Sequence, residues 1–309
     1  MPPKVYVIIV TYNAMKWVDK CFTSLRNSSV KVFPVVVDNL SKDETVMYIK
    51  ENYPEVYVIE NKDNRGFGQA NNQGIEYAYK QGATHFFLLN QDAWIETDAI
   101  ENIIAVQDKY QIGIASPVHL NGDGNLLDYN FYRTLIINED NRPLVSDLLL
   151  NQLKPYYPIF KINAAAWIIS REVIDLIGGF DPVFFHYGED GNYCQRLHYH
   201  GKSMAIIPTA FVCHDRERQG NQKVYNARFT LMNLLYSYGD VNMKHFKHAS
   251  PRIKMHLFHL KGALNGLIKL DFKKFGQTIN GYWQFVKLLK KLRNNKKMNR
   301  EVGSHWLSL

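Results

Sequence analysis

The chain has 309 residues and a formal net charge of +8, with 46% hydrophobic and 21% charged residues. This composition is typical of a globular protein with a sizeable core and excludes an extended disordered chain. No window reaches the roughly 18 uncharged apolar residues of a membrane span, and the N-terminal apolar run is too short for a signal peptide. Cys21, Cys194 and Cys213 show no CxxC spacing. We therefore expect neither a disulfide framework nor a zinc site, and a reducing cytoplasmic compartment.

Short apolar runs alternate with helical patterns in residues 1–120. The candidate strands are VYVIIV (5–10), FPVVVD (33–38), VYVIE (56–60) and HFFLLN (85–90), and the candidate helices cover 15–27, 43–52 and 67–81. Continuously apolar strands are typical of parallel sheets that are covered on both faces. The pattern predicts an α/β fold with an open, mostly parallel, doubly wound sheet flanked by helices.

Hydrogen-bonding side chains follow each of the four candidate strands. In strand order they are Thr11 and Asn13, Asp38 and Asn39, Asn61 and Asp63, and Asn90 and Asp92. Ligands of open parallel sheets bind beyond the carboxyl ends of the strands, so these residues together predict one ligand crevice. Each residue taken singly could instead cap the helix that follows it.

Two segments of this crevice suggest a phosphate ligand. The segment NRGFGQANNQG (64–74) looks like the dinucleotide pattern G-x-G-x-x-G, but it follows the third strand and has Asn71 at the last glycine position, which argues against a nicotinamide cofactor. A glycine-rich turn can still bring backbone amides to phosphates. The segment LLNQDAW (88–94) places Asp92 where a cation that bridges a diphosphate would need an oxygen ligand, although a helix cap is the commoner role for this pattern.

The rest of the chain divides into two unlike parts. Residues 121–158 are rich in Asn, Tyr and Pro, which predicts an irregular insertion or a mobile loop. Residues 222–309 are mostly helical in pattern and carry 17 Lys and Arg against 3 Asp and Glu, a balance of +14, which leaves −6 for residues 1–221. The asymmetry predicts a domain of residues 1–221 followed by a basic helical region, residues 222–309.

Several segments together resemble family 2 glycosyltransferases with the GT-A fold. In order and spacing they are IIVTYNA, VVVDNLSKDET, NKDNRGFGQANNQG, LLNQDAW, AAAWIISREVIDLIGGFDPVFFHYGEDGNYCQRLHYHG and CHD. The resemblance covers about residues 4–218 and is nearest to the bacterial rhamnosyltransferase-like branch. It implies an inverting, metal-dependent hexosyltransferase of bacterial surface polysaccharide synthesis. The donor would be a UDP- or dTDP-linked sugar, and the acceptor a hydroxyl of a glycan or lipid-linked glycan.

The resemblance also implies roles for the residues of the crevice. Thr11, Tyr12 and Asn13 would line the nucleotide, Asp38 with Asn39 would take the base or ribose, and Asn64, Arg65, Gly66 and Asn71 would border the base and diphosphate. Asp92 matches the last carboxylate of the family's DxD motif, in which Asn90 departs at the first position and Gln91 stands between. His214 matches a histidine that completes the shell of a divalent cation, Mn²⁺ or Mg²⁺, and an imidazole ligand favours Mn²⁺.

An acid pair, Glu189 and Asp190, stands at a predicted helix start in FFHYGEDGNYCQR (184–196). Transfer to an alcohol needs a base for the acceptor proton, with a cation on the leaving diphosphate at the opposite side. The resemblance makes Asp190 this base and Glu189 a residue that orients the acceptor or the loop. The helix dipole would favour ionised carboxylates, and the alternative is two solvated caps. The preceding aromatic residues would either stack on sugar rings or belong to the core.

The basic region suggests a membrane surface as a partner. Aromatic and leucine side chains lie beside a Lys/Arg cluster in GYWQFVKLLKKLRNNKK (281–297), as in an interfacial helix that binds anionic lipid. We therefore expect a cytoplasmic protein that is peripheral on the inner face of the cell membrane. Alternatively, this apolar face packs on the catalytic domain or on a second subunit of a homo-oligomer. No nucleic-acid-binding motif accompanies the charge, so no nucleic acid is expected.

Two other functions are alternatives to glycosyl transfer. A sugar nucleotidyltransferase would need a Gly-rich loop with Arg and Lys after the first strand, and VTYNAMKW lacks one. A nucleotide-sugar-binding subunit without catalysis is suggested only by Asn90.

Overall fold

The computed structural model describes residues 2–137, 141–216, 227–243 and 249–309. Its centre is a nine-stranded sheet in the order β3-β2-β1-β4-β8-β6-β9-β5, with β7 paired to β9. The strands are β1 (Val5–Thr11), β2 (Val32–Asp38), β3 (Tyr57–Glu60), β4 (His85–Leu89), β5 (Ala93–Ile95), β6 (Ile114–Asn121), β7 (Tyr157–Pro158), β8 (Ala166–Ser170) and β9 (Met204–His214). The helices are α1 (Val18–Arg26), α2 (Thr45–Asn52), α3 (Gly66–Lys80), α4 (Ala99–Tyr110), α5 (Tyr129–Ile137), α6 (Arg142–Leu149), α7 (Arg171–Ile177), α8 (Glu189–Tyr199), α9 (Ala227–Gly239), α10 (Ala249–Ile268) and α11 (Phe272–Met298).

The first four strands form the parallel half of the sheet, as predicted. β1 pairs in parallel with β2 and β4, and β2 pairs in parallel with β3. Alternate residues of β1 enter two separate cores, Val5, Val7 and Ile9 on one face and Tyr6 and Ile8 on the other. Both faces of the strand are therefore buried, which explains its continuously apolar sequence.

The second half of the sheet is mixed. β8 is antiparallel to both β4 and β6, whereas β6 and β9 are parallel. β5 is antiparallel to the end of β9, and in this register Ala93 lies opposite His214. The pairing brings the segment after β4 next to the end of β9, although more than 100 residues separate them in the chain.

The prediction of an irregular segment over residues 121–158 is wrong, because α5 and α6 form within it. Asp128 starts α5, since its Oδ1 accepts hydrogen bonds from the backbone N–H of Asn130 (3.0 Å) and Phe131 (2.9 Å). A proline occupies the first turn of α6, where its missing N–H costs nothing. Local capping thus outweighs a composition that is typical of loops.

The predicted helical character of the C-terminal region is confirmed in α9, α10 and α11. The predicted boundary between residues 221 and 222 lies outside the described residues. α11 packs on α9, and their apolar residues share a small core with Val183 and Phe184. Within the described ranges, no helix is both long and apolar enough to cross a membrane.

A buried carboxylate joins α11 to the segment that precedes α8. Asp181 accepts hydrogen bonds from the side-chain amides of Asn295 (2.5 Å) and Asn299 (2.7 Å) and from the backbone N–H of Val183 (2.9 Å). Bonds to a charged group are worth about 1.5–3 kcal/mol each, and more is lost when a buried partner is left unpaired. We call this cluster of Asp181, Asn295 and Asn299 the α11 clasp.

Candidate active site

The ends of β1 and β2 are joined by polar side chains. Thr11 Oγ1 donates to Asp38 Oδ1 (2.8 Å), and Ser41 donates to the same carboxylate through its backbone N–H (2.8 Å) and its hydroxyl (2.5 Å). Asp38 is almost fully buried. Its carboxylate therefore holds the crevice wall together. No sequence pattern points to Ser41.

Gln91 joins the end of β4 to the end of β1. The backbone N–H of Tyr12 donates to Gln91 Oε1 (2.7 Å), and Gln91 Nε2 donates back to the Tyr12 carbonyl (3.3 Å). Asn13 follows with a positive φ of 52°, and its backbone N–H donates to Ser41 Oγ (2.9 Å). Tyr12 and Asn13 are exposed, so they remain accessible to a ligand.

The glycine-rich turn before α3 is held by asparagines. Asn39 accepts from the backbone N–H of Arg65 (3.3 Å) and donates to the Gly66 carbonyl (3.2 Å), while Asn64 Oδ1 accepts from the Gly66 N–H (2.9 Å). Asn64 and Arg65 are exposed. Asn71 is buried and donates to a backbone carbonyl of its own helix. Its side chain is thus engaged within α3.

The glycine-rich turn touches the loop that precedes the acid pair. Gly66 has a φ of +77°, and a Cβ at this position would lie 1.8 Å from the Phe185 carbonyl oxygen. Asn72 adds a second link, because its side chain accepts from the backbone N–H of Phe180 (2.7 Å) and donates to the Phe180 carbonyl (2.8 Å). Only glycine fits at position 66, and the sequence alone did not reveal either contact.

Asp92 and His214 lie next to each other because Ala93 pairs with His214 in the register of β5 and β9. Asp92 Oδ1 lies 3.2 Å from His214 Nε2, and the Asn90 side-chain amide lies 3.3 Å from the same nitrogen. His214 is buried, its Nδ1 has no hydrogen-bond partner, and Asp128 Oδ2 is 4.0 Å away from Nδ1. No sequence motif points to Asp128.

The Asp92 and His214 pair fits a divalent cation. Neighbouring ligands of an octahedral ion with bonds of about 2.1 Å are about 3 Å apart, close to the 3.2 Å between Asp92 Oδ1 and His214 Nε2. Among the described residues, no group of three or more His, Cys, Asp and Glu could hold a metal. A cation here would therefore take two ligands from the chain and the others from a ligand or water.

Asp190 lies in the first turn of α8 and is accessible. Gly188, with a φ of 93°, precedes the helix, and Asp190 Oδ1 accepts from the Gly191 N–H (2.6 Å). The Asp190 side chain is 21% exposed, and its Oδ1 lies 4.0 Å from Lys161 Nζ. Burial alone would lower the pKa of Lys161, but the negative charges around it, that of Asp190 first, raise the pKa above its usual value.

Glu189 differs sharply from its neighbour. It is only 5% exposed, and its Oε2 has no hydrogen-bond partner. Burial, with the charge of Asp190 as the second cause, raises the pKa of Glu189 to about 8. The expectation of an ionised carboxylate is therefore wrong for Glu189, because the desolvation of a buried charge outweighs the modest effect of a helix dipole.

The aromatic run before the acid pair divides between core and surface. Phe184 is buried, whereas Phe185 and Tyr187 are exposed, Tyr187 with 59% of its surface and a φ of 69°. Tyr187 lines a cavity of about 520 Å³ together with Lys161 and Arg216. Tyr187 thus faces this cavity, whereas Phe184 belongs to the core.

Two basic residues of this cavity wall are linked to the two chemical centres. On one side Lys161 lies 4.0 Å from Asp190. On the other side Arg216 Nε lies 3.0 Å from Asp128 Oδ2, and Asp128 in turn approaches His214. Lys161 thus links the cavity wall to the carboxylate that could act as a base, and Arg216 links it through Asp128 to the pair that could hold a cation.

Comparisons with known proteins show the family of the chain and agree with its fold. The family described as glycosyl transferase family 2 matches residues 6–177, more than half of the chain. The chain therefore belongs to glycosyl transferase family 2. The acid pair at 189 and 190 lies beyond the matched residues.

Its relatives place it in the rhamnosyltransferase-like branch. The chain is 25% identical over 222 residues to the dTDP-rhamnosyl transferase RfbF of Shigella flexneri, covering 69% of this chain and 70% of the relative. It is 23% identical over 231 residues to the N-acetylglucosaminyl-diphospho-decaprenol L-rhamnosyltransferase of Mycobacterium tuberculosis, with 68% and 75% covered. A crystal structure of S. aureus TarS 1–349 in complex with UDP-GlcNAc is similar with a TM-score of 0.60 and 13% identity, over 96% of this chain and 89% of that one. This likeness confirms the expected GT-A fold class.

Proposed function

We propose that this glycosyltransferase moves a sugar from a UDP- or dTDP-linked donor to a hydroxyl of a glycan or lipid-linked glycan in bacterial surface polysaccharide synthesis. The observation that carries the proposal is the position of Asp190, which is partly exposed and lies 4.0 Å from Lys161 in the wall of a cavity. Arg216 in the same wall contacts Asp128, which approaches His214. The name of the Shigella relative makes dTDP-rhamnose the first donor to test.

The donor would lie in the crevice at the strand ends. Tyr12, Asn13, Asn64 and Arg65 are exposed there and would contact the nucleotide. Thr11, Asp38, Asn39 and Gly66 are buried and hydrogen-bonded to one another or to their neighbours, so they would shape the crevice from behind. This division between residues that would contact the donor and residues that would shape the crevice explains why both exposed and buried polar residues follow these strands.

Asp190 would take the proton of the acceptor hydroxyl. As the acceptor oxygen forms a bond to the anomeric carbon, the bond from that carbon to the diphosphate oxygen breaks, and the nucleoside diphosphate leaves. A single displacement of this kind inverts the anomeric carbon. A positioned base contributes about 10²–10⁴-fold to such a reaction. Asp92 and His214 would hold Mn²⁺ or Mg²⁺, which supplies positive charge for the leaving diphosphate.

The substitution Asp190→Asn tests the base. It keeps the shape of the side chain, so we expect kcat to fall at least 100-fold while donor affinity changes little. Asp98→Asn, an exposed carboxylate at the start of α4, is the matched control and should keep wild-type activity. More than a tenth of wild-type kcat in Asp190→Asn would contradict the assignment. A wild-type protein that binds nucleotide-sugar without transfer or hydrolysis would favour a binding subunit.

The exposed face of α10 and α11 supports the proposal that the protein binds the inner face of the cell membrane. Apolar side chains recur at helical spacing on each helix and are exposed, namely Ile253, Leu257, Leu260, Leu264 and Ile268 on α10 and Phe272, Ile279, Trp283 and Val286 on α11. The α11 stripe continues into the exposed cations Lys290, Arg293 and Lys297. An apolar stripe that ends in cations suits the boundary of an anionic bilayer.

Vesicle flotation tests this surface. We expect binding that increases with anionic lipid and decreases with salt, since each cation near such a surface contributes about 1 kcal/mol. Trp283→Ser should weaken binding, whereas Phe285 faces the interior and is not part of the stripe. If wild type and Trp283→Ser float equally, this face is not the anchor. A stable dimer in the absence of lipid that Trp283→Ser dissociates would assign the face to a homo-oligomer instead.

A further inference from the structure

One ring nitrogen of His214 has no role in the pair that could hold a cation. The side chain is buried, its Nε2 lies 3.2 Å from Asp92 Oδ1, and its Nδ1 has no hydrogen-bond partner among the described residues. An imidazole binds a metal ion through a nitrogen lone pair, so a neutral ring that uses Nε2 carries its proton on Nδ1. A buried N–H group of this kind needs an acceptor.

Asp128 has a free acceptor position near this nitrogen when its bonds within the described ranges are counted. Its Oδ1 accepts from the backbone N–H of Asn130 and of Phe131, and its Oδ2 accepts from Arg216 Nε (3.0 Å). A carboxylate offers about four lone-pair sites, so one site remains on Oδ2. This oxygen lies 4.0 Å from His214 Nδ1, about 1 Å further than a hydrogen bond.

Strand β6 positions both residues. In the register of β6 and β9, Asn121 lies opposite His214. The chain then turns back, and the backbone N–H of Asp128 donates to the His119 carbonyl (2.9 Å). The side chains of Asp128 and His214 are both buried. A helix cap needs only Oδ1, so capping α5 does not explain why the second oxygen is buried beside an imidazole.

We propose that Asp128 is a positioning residue for the cation. Its Oδ2 accepts a hydrogen bond from His214 Nδ1–H and thereby directs the Nε2 lone pair toward Asp92. This inference rests on the proposed function, because it takes Asp92 and His214 as the ligands of the cation. A partner of this kind fixes the tautomer and the orientation of a metal-binding histidine, and its loss typically weakens metal binding about 10–100-fold.

Asp128→Ser separates the two roles of this side chain. Serine caps helices well, so the variant keeps the start of α5 and loses Oδ2. Calorimetric titration of Mn²⁺ in the presence of dTDP, and separately of UDP, should give a Kd about 10–100-fold higher than in wild type. Asp123→Ser is the matched control, since it removes an exposed carboxylate from the same connection between β6 and α5, and it should bind Mn²⁺ as wild type does.

Arg216→Gln tests whether Asp128 acts through its other partner. The variant removes the guanidinium that contacts Oδ2 and leaves His214 in place. It should change the Kd for Mn²⁺ much less than Asp128→Ser does. An equal loss in Arg216→Gln and Asp128→Ser would overturn the direct contact and assign the effect to Arg216.

Nitrogen-15 NMR of His214 measures the contact without any transfer reaction. With Mg²⁺ and dTDP, the wild-type ring should carry its proton on Nδ1, and this proton should exchange slowly with water because it is buried and bonded. In Asp128→Ser the Nδ1 proton should exchange faster, whereas in Asp123→Ser it should remain protected. The wild-type spectrum alone decides the matter if Asp128→Ser does not fold.

Two results would overturn the role of Asp128. One is an equal Kd for Mn²⁺ in Asp128→Ser and Asp123→Ser, and the other is an unprotected Nδ1 proton in wild type. Binding of dTDP and UDP to wild type that does not depend on Mn²⁺ would instead overturn the cation pair of the proposed function, and this inference with it. A failure of the proposed function is therefore distinguished from a failure of Asp128 alone.

Discussion

The buried carboxyl of Glu189 leads to a quantitative prediction. Glu189→Gln keeps the size of the side chain and removes its titration. The pKa of Glu189 is raised from 4.5 to about 8, chiefly by burial. At about 1.36 kcal/mol per pKa unit, this rise corresponds to a loss of at most about 5 kcal/mol in the unfolding free energy. Part of this amount comes from the interaction with Asp190 and not from burial.

The sign of the effect follows from proton binding. Between pH 4.5 and about 8 the folded protein holds a proton on Glu189 that the unfolded chain releases. The contribution of Glu189 to stability is therefore fully present below pH 4.5 and is lost as the pH rises through about 8. Glu189→Gln cannot titrate and therefore does not show this loss. As the pH rises from 4.5 to about 8, the unfolding free energy of the variant should increase by a few kcal/mol relative to that of wild type.

Denaturant unfolding at pH values from 5 to 9 measures the difference. Wild type should lose more unfolding free energy than Glu189→Gln, and Glu51→Gln, at an exposed position of α2, should follow wild type. Transfer activity offers a second readout, because a neutral Glu189 can donate a hydrogen bond only below about pH 8. Parallel stability curves for wild type and Glu189→Gln would refute the reasoning.

Three further predictions concern the cation pair, the glycine-rich turn and the α11 clasp. Asp92→Ala and His214→Ala should each abolish the Mn²⁺-dependent part of nucleoside diphosphate binding in calorimetric titration, and unchanged Mn²⁺ dependence in both would remove the pair from the site. Gly66→Ala should reduce kcat at least tenfold, since a Cβ would lie 1.8 Å from the Phe185 carbonyl oxygen, and full activity would show that this contact is not needed. Asp181→Ala should lower the unfolding free energy by roughly 3 kcal/mol or more, measured in urea, because it leaves two buried amides unpaired; a loss below 1 kcal/mol would contradict the clasp.

The sequence was sufficient to predict the parallel strands and the polar residues at their ends. Strands such as β1 are continuously apolar because both faces are buried, and this pattern is local in the sequence. The mixed half of the sheet depends on pairings between distant segments, such as β5 with β9. No local pattern encodes these pairings, and only the family resemblance placed His214 near Asp92.

The roles of single polar residues were harder to predict. Asn71 and Tyr12 are both polar groups in recognisable motifs, yet Asn71 is buried within α3 and Tyr12 is exposed at the crevice. Which of these two side chains is exposed depends on how α3 packs against the sheet. Asp128 could not be found at all, because its partners Arg216 and His214 approach it only in the folded chain.

The α11 clasp has a consequence for how far the site stands from a bilayer. The apolar stripe of α11 ends at Val286, and the clasp begins at Asn295, nine residues and about 14 Å further along the helix. If the stripe and the cations that follow it rest on lipid, as we propose, α11 lies along the bilayer surface, and the clasp ties the segment that precedes α8, the helix that carries Asp190, to that surface. The enzyme would then work at one fixed height. Acceptors whose reactive hydroxyl stands close to the bilayer would be reached, and glycans that extend much further would pass out of range.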